Sequence, residues 1–427
     1  MYLLWIFLLI LFLGYPIAFA MFLVPTAYVL ITGRAPLEII PYVMYEQLNQ
    51  FSLLAIPLFI FAGALVNEIG ITEKLVDFSK QLVGRLRGGL SLMTIVVSTL
   101  FSGLSGSIVA NTATVGPIMI PAMKKEGYPG SYAAGVVCAA SSIDAYVPPS
   151  IAMILYAAVV GGISIGAMFI AGFAAGILVA LLQMLAAYLI SVKRKYPKYV
   201  VPFRIKDFGL SIVGAMPAIV CAFIIIIGMR AGATTATEIA AVLVLYVILL
   251  GLFWYKNLTW KKLIHCAFDS VKMSGIILII LGAAGPFMWV LTKERIIADI
   301  VESFSYLCTT PFATYFFFFL ILTVAGMVME TTANILILSP IFAQIGLKVG
   351  LDPFVMAFVI LMVLCIGPVT PPVGISLYAA SVIANEKIEK VAVETWPFIM
   401  VELLAIILII LFPIIIKFFP NLMGYVV

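Results

Sequence analysis

Charge is scarce in this chain: 10% of its 427 residues are charged, and histidine occurs once, at His265. A soluble domain carries about 25% charged and about 45–50% apolar residues. At 64% hydrophobic content and a mean hydropathy of +1.24, this chain cannot cover a water-facing surface, so lipid must be its solvent. The five cysteines (Cys138, Cys221, Cys266, Cys308 and Cys365) lie far apart and form no CxxC or metal-spaced pair. Neither a disulfide framework nor a transition-metal site is expected. An enzyme should show a nucleophile–base set or metal ligands, and one histidine with scattered cysteines supplies neither. The net charge of +5 comes from basic residues in loops between apolar spans, without a basic face, which argues against nucleic acid as a partner. Met1 to Ile31 has no basic leader and no small-residue cleavage site, so it reads as a retained first membrane segment rather than a signal peptide.

What is present is a series of long apolar runs. A spanning helix needs about 20 apolar residues, and 2–31, 51–67, 163–190, 209–229, 238–255, 273–292 and 391–416 qualify. Four further stretches do not suit a plain helix. Residues 89–123 and 311–345 are apolar with a Gly/Ser/Thr/Asn-rich middle, while 130–160 and 353–383 are each broken by a Pro-Pro pair. Segments 71–87 and 258–272 mix charge with apolar residues at helical spacing and read as amphipathic helices along the membrane surface.

The irregular stretches are duplicated. Gly103, Asn111 and Pro117 in FSGLSGSIVANTATVGPI align with Gly326, Asn334 and Pro340 in TVAGMVMETTANILILSPI at a constant offset of 223, which also carries Pro148-Pro149 onto Pro371-Pro372. After a one-residue slip, LYAA at 155–158 matches LYAA at 377–380. If 89–123 and 311–345 are hairpins that enter and leave by one face, 18 of the 24 Lys and Arg residues fall on one side. The strongest marker is the linker bearing Lys193, Arg194, Lys195, Lys198, Arg204 and Lys206. That side is cytoplasmic by the positive-inside rule. The amino terminus is then cytoplasmic, the carboxyl terminus periplasmic, and the two halves are inverted, a construction found in secondary transporters.

A hairpin ending inside a bilayer leaves backbone groups that must line a cavity or be buried in protein. Pro149 frees carbonyls around Ile143 to Val147, and Pro372 does so around Gly367 to Thr370. Free carbonyls and small hydroxyls suit an alkali cation, while half-helix amino termini suit an anion. For an isolated SGLSGS, close helix packing is the simpler reading; the duplicated partner and the broken helices favour a site. Two acids lie at membrane depth, Asp144 and Glu330, where either ligand binding or helix capping explains a carboxylate; a cap at Glu330 would accept the N–H of Thr332 or Ala333. Glu394 and Glu402 read as interface or subunit contacts, and Arg230 as a snorkelling charge.

FSGLSGS (101–107), VPPSIAMILYAA (147–158), METTANILILSPI (329–341) and TPPVGISLYAA (370–380) resemble the large membrane subunit of tripartite ATP-independent periplasmic (TRAP) transporters over essentially the whole chain. The resemblance implies an all-α polytopic protein of two inverted repeats, each with a re-entrant hairpin and a Pro-Pro-broken helix, in an elevator architecture. It implies sodium-driven import of a small organic acid, delivered by a periplasmic binding protein, with a separate small four-helix subunit in the inner membrane and no organic cofactor. The transport block would comprise 89–160 and 311–383. The scaffold would comprise 1–70, 161–257 with its linker 191–208, 273–310 and 384–427, and the arms 71–88 and 258–272. Ser102, Gly103 and Ser105 with carbonyls from Asp144 to Val147 would hold one sodium; Gly326, Thr332, Gly367 and Thr370 the other. Ser107, Ser150 and Glu330, with the repeated Asn111 and Asn334, would face substrate. Sialic-acid carriers tend to have aspartate at the Glu330 position, and the longer side chain narrows the cavity, so a C4-dicarboxylate fits equally well. Two other readings stand beside this one. A stand-alone sodium/dicarboxylate symporter of the related two-hairpin type would transport without a binding protein; a channel would show filter rings from symmetric subunits.

Overall fold

A computed structural model describes residues 2–198, 205–229, 234–305, 308, 310–371 and 373–427, apart from the side chains of residues 104, 105, 205 and 305. Arg204, Arg230 and Pro372 therefore lie outside the described residues, as does the side chain of Ser105. Among the described residues the chain is helical, with a single isolated β-bridge between Arg87 and Lys198.

The apolar run 2–31 is two helices, α1 (Tyr2–Phe12) and α2 (Ile17–Thr32), rather than one span. Gly14 takes φ +84° and Pro16 sits at the start of α2, so the first helix cannot continue through them. After α3 (Ile39–Leu48) and a 3-10 turn at Phe51–Leu54 come α4 (Ala55–Glu68) and α5 (Ile71–Val83). α5 is the expected amphipathic helix: Ile71, Leu75, Ser79 and Val83, four residues apart, are its buried line.

α6 (Gly89–Ser105) and α7 (Ile108–Lys125) form the first helical pair, with Gly106 and Ser107 between them. α8 (Gly130–Ser141) ends in a 3-10 turn, Ser142–Ala145, and α9 (Ile151–Val160) begins beyond Pro148-Pro149. α10 (Ile165–Lys193), α11 (Ile205–Gly228) and α12 (Ala236–Leu249) follow.

α13 (Trp260–Lys293) is one helix of 34 residues, so 258–272 is not a separate arm. Cys266, Ser270, Ser274, Ile277 and Leu281 make one buried line through the expected junction, and the hydroxyls of Ser270 and Ser274 bond back to Cys266 O and Ser270 O at 2.6 Å. With that face continuous, nothing favours a break. At 1.5 Å per residue the helix is about 51 Å long, well beyond the ~30 Å hydrocarbon core. The second amphipathic helix is instead α14 (Ile296–Ser305), which starts after Arg295 at φ +54°, as α5 starts after Gly70 at φ +77°.

α15 (Pro311–Val328) and α16 (Thr331–Lys348) form the second pair, and α17 (Pro353–Ile366), a 3-10 turn at Gly367–Val369 and α18 (Ile375–Ala384) the second broken helix. α17 is capped by Asp352, which accepts N–H bonds from Phe354 and Val355 at 2.9 and 3.0 Å and pairs with Lys417. Burial pushes the Asp352 carboxyl up, but these partners outweigh it and hold it below the usual range. The run 391–416 is α19 (Ile388–Leu411) and α20 (Ile414–Leu422), divided at Pro413.

The offset of 223 carries the bounds of α7 onto those of α16, and the starts of α8 and α10 onto those of α17 and α19. Packing is reciprocal as well. α6 and α7 pack on α8, and α15 and α16 on α17, while α9 lies on α16 and α18 lies on α7 and α8. The centre is apolar on every side: Phe354 to Ile366 are all buried, as are Tyr132 to Ser141.

Elsewhere α13 packs on α2, α3 and α4, α12 on α4, and α11 on α5. α10 and α19 do not join that group, as the sequence-based division had them do. They pack on each other, with α10 against α6 and α19 against α8 and α17. The reason is close fit. A Cβ on Gly172 of α10 would lie 2.3 Å from Tyr146 O, one on Gly176 2.1 Å from Val147 Cγ2, and one on Gly135 of α8 3.0 Å from Glu394 Cβ.

Candidate functional site

The tip of the first pair meets the first break. α6 ends on Gly106 at φ +65°, where a Cβ would lie 2.8 Å from Pro149 O, so glycine is required both by conformation and by space. The amino termini of α7 and α9 are thereby brought together. Ser107 caps α7 through the N–H of Ala110 at 3.5 Å, and Ser150 caps α9 through the N–H of Met153 at 3.3 Å while donating to Ala145 O. Two serine-capped helix ends, neither carrying a negative charge in its cap, converge here.

Behind the tip lies a buried polar cluster. Asn111, on α7, donates to Ser98 O at 3.1 Å and to Ser102 Oγ and Asp144 Oδ1 at 3.3 Å each. Ser102, Asn111 and Asp144 are all fully buried, and Ser102 donates its own proton to Ser98 O at 2.7 Å. Thr112 adds a hydrogen bond to Ser141 at 2.8 Å. The structure thus brings Ser102, Gly103, Asn111 and Asp144 together, with Gly103 passing close to Pro148 O. Val147 stands behind the break, its side chain against Gly176. The expected set of loose carbonyls shrinks: Ile143 O accepts N–H bonds from Tyr146 and Val147, and Ala145 O the Ser150 hydroxyl.

The second half departs from the first at the matching positions. Offset by 223, Ser102 becomes Ala325 and Asp144 becomes Gly367. Polar side chains give way to a backbone crossing: a Cβ on Gly367 would lie 2.3 Å from the carbonyl carbon of Gly326. Gly367→Ala is therefore expected to cost about 1–3 kcal/mol, read as a lower thermal midpoint in detergent. Gly103→Ala, whose Cβ would stand 3.4 Å from Pro148 O, should be tolerated; equal effects would refute the close crossing. Thr370 is buried and donates to Ile366 O at 2.6 Å, and its N–H bonds to Gly367 O. Asn334 donates to Met329 O at 3.0 Å and Ala325 O at 3.3 Å, tying the second pair as Asn111 ties the first. Asn334 thus spends its N–H groups inside its own helical pair, while Asn111 also reaches Asp144 on the broken helix, tasks that sequence reading did not assign them.

Glu330 is the cap of α16. Its Oε2 accepts from Thr332 N at 2.8 Å and Ala333 N at 3.3 Å, and its Oε1 from the Thr332 hydroxyl at 2.9 Å. This helix end, unlike those of α7 and α9, already holds a carboxylate, and Thr332 is engaged with it. The two halves consequently differ in what they offer an anion.

Two acids expected at interfaces find partners within the chain, one of them fully buried. Glu394 pairs with Arg194 through both oxygens, at 2.9 and 2.7 Å. Glu402 is 1% exposed and accepts from Ser142 Oγ at 2.9 Å and Tyr146 OH at 2.8 Å, immediately behind the first break. Their sequence separation from these partners, 200 to 260 residues, hides both contacts from any local pattern.

A cavity of about 440 Å³ lies elsewhere, where the end of α9 and start of α10 face α12 and Tyr425, and no expected site residue lines it. Its lining carries hydroxyls too, among them the caps Ser164 and Thr235, but no buried carboxylate.

The model of the family "Tripartite ATP-independent periplasmic transporter, DctM component" matches residues 4–415. The chain is 33% identical over 381 residues to the C4-dicarboxylate TRAP transporter large permease protein DctM of Pseudomonas aeruginosa, covering 89% of each chain. It is 31% identical over 417 residues to the sialic acid TRAP transporter large permease protein SiaM of Vibrio cholerae, covering 97% of each. In fold it resembles the Alcanivorax borkumensis YdaH transporter, with a TM-score of 0.63 over 87% of each chain at 14% identity. Among the described residues, seven helices are long and apolar enough to cross a membrane. The relatives are permeases rather than enzymes, and this multi-pass inner-membrane chain belongs to the TRAP transporter family as its large membrane subunit.

Proposed function

We propose that this chain carries a small organic acid inward, coupled to sodium, by an elevator movement of one block of helices against another. The convergence of the α7 and α9 amino termini beside the buried cluster of Ser102, Asn111 and Asp144 carries the reading. The helix ends suit a carboxylate, and the oxygens suit a hard cation. Sodium is cargo here rather than a resident cofactor, and no transition metal is called for. The donor set fits it: Ser98 Oγ and Asn111 Oδ1 in the first half and Asn334 Oδ1 in the second are buried without a hydrogen-bond partner. Ser102 and Thr370 give their protons to carbonyls, which turns their lone pairs away from those bonds. Relatives named for C4-dicarboxylate and for sialic acid handle carboxylates, and a ligand of that class is the reading for this chain.

The moving block on this reading is α6–α10 with α15–α19, since α10 and α19 fit closely onto the broken helices. The scaffold is α2–α4 with α11–α13, linked by α5 and α14. The two halves are inverted repeats, and charge sets the amino terminus in the cytoplasm and the carboxyl terminus in the periplasm. A separate small four-helix membrane subunit and a periplasmic binding protein complete the system. Proteoliposomes holding the chain, the small subunit and the binding protein should accumulate substrate, and omitting either partner should reduce uptake to background. Robust accumulation by this chain alone would support the stand-alone symporter instead.

A further inference from the structure

Glu402 is the acid to which the transport reading gives no task. It sits on α19, buried, with each oxygen accepting one hydroxyl: Ser142 at 2.9 Å and Tyr146 at 2.8 Å. Those two residues bracket the 3-10 turn Ser142–Ala145, the first at its start and the second just past its end. A helix cut by Pro148-Pro149 has no following turn to fix its last residues, so side chains must hold them. From the front, hairpin 1 does so through Asn111 and Asp144. At the rear, α10 supplies Gln183, which donates to Ala139 O at 3.0 Å, and the flat surfaces of Gly172 and Gly176. Glu402 grips the turn at both ends with a single carboxyl group.

We infer that Glu402 is a positioning residue for cation binding, acting through Ser142 and Tyr146 to keep the Asp144 and Val147 carbonyls at fixed places. The inference rests on the sodium reading above. It goes beyond that reading in assigning the geometry of one cation site to a carboxyl on a helix outside the hairpins and the broken helices. Both hydroxyls lie on the break and the acid on α19, so the grip travels with the block instead of sliding across its boundary.

The test uses the complete transporter in proteoliposomes, with sodium varied at saturating substrate and substrate varied at saturating sodium. Glu402→Ala should raise the half-activating sodium concentration about tenfold, the order expected for losing two hydrogen bonds. Substrate half-saturation and maximal rate at saturating sodium should stay within about twofold of the parent. Glu402→Gln keeps the length and one acceptor oxygen, and should recover most of the sodium affinity. Tyr146→Phe removes one contact and should fall between. Should transport of the alanine variant be too weak to follow, the sodium-induced rise in thermal midpoint of the purified chain should rank the four proteins in the same order. A sodium-activated parent with an unchanged curve in Glu402→Ala, or a fall in maximal rate alone, overturns the inference. A parent indifferent to sodium overturns the cation reading and this inference with it.

Discussion

Ser107→Asp should fold normally and lose about a hundredfold in uptake at limiting substrate. Aspartate caps a helix as well as serine does, so α7 should remain intact and the thermal midpoint unchanged or raised. What changes is the charge at the meeting of the α7 and α9 amino termini. Two unit charges 4 Å apart repel by roughly 4 kcal/mol at an effective dielectric constant of 20, and the new carboxylate also takes the N–H groups that an anionic substrate would use. Ser107→Asn, a neutral cap of similar size, should stay within about threefold of the parent. The protein already contains the comparison at Glu330, which occupies the end of α16 in this way. Glu330→Gln should accordingly have a milder effect than Ser107→Asp. If Ser107→Asp transports like the parent, the substrate is held somewhere other than the first hairpin.

The second large effect concerns the cation. Ser102→Ala and Thr370→Ala each remove one hydroxyl from the buried clusters of the first and second halves. Each should raise the half-activating sodium concentration about tenfold, equivalent to about 1.4 kcal/mol, while protein abundance holds. The first substitution also takes an acceptor from Asn111 Nδ2, which keeps Ser98 O and Asp144 Oδ1. Sodium activation curves on the reconstituted transporter separate these outcomes. Parental curves in both variants would remove Ser102 and Thr370 from the ligand set.

Much of the architecture was legible because local chemistry marks where helices stop. Pro148-Pro149, Gly106-Ser107 and Met329-Glu330 are breaks that any chain of this composition must make, and the helices end at each of them. The duplication was legible for the same reason, since its matched residues are those that enforce breaks and caps. Where no breaker is present, reading by composition failed. Residues 258–272 change from charged to apolar without a proline or a left-handed residue, and α13 runs through them. Gly14 and Pro16 carry little weight inside so apolar a run, yet they divide it.

The site was legible in its residue types and less so in its partners. That Glu330 could be a cap follows from its place before Thr331. Its use of both oxygens on its own helix, in contrast to the serine-capped ends of α7 and α9, required coordinates. Glu402 carries no local signal: nothing in VELLAII points to a turn some 260 residues earlier. The packing of α10 and α19 was likewise hidden, because an apolar helix looks the same whichever neighbours it meets. Gly172 and Gly176 were the available clue, as small residues four apart mark a face meant for close approach.

Sodium coupling is the central claim, and a gradient experiment tests it most directly. The complete transporter, reconstituted with its small subunit and binding protein, is supplied with labelled C4-dicarboxylate or sialic acid under an inward sodium gradient. Parallel vesicles receive potassium or choline in place of sodium, with and without a proton gradient. Accumulation above equilibrium is expected with inward sodium and none in the substituted vesicles. Full accumulation in sodium-free buffer under a proton gradient alone would contradict it.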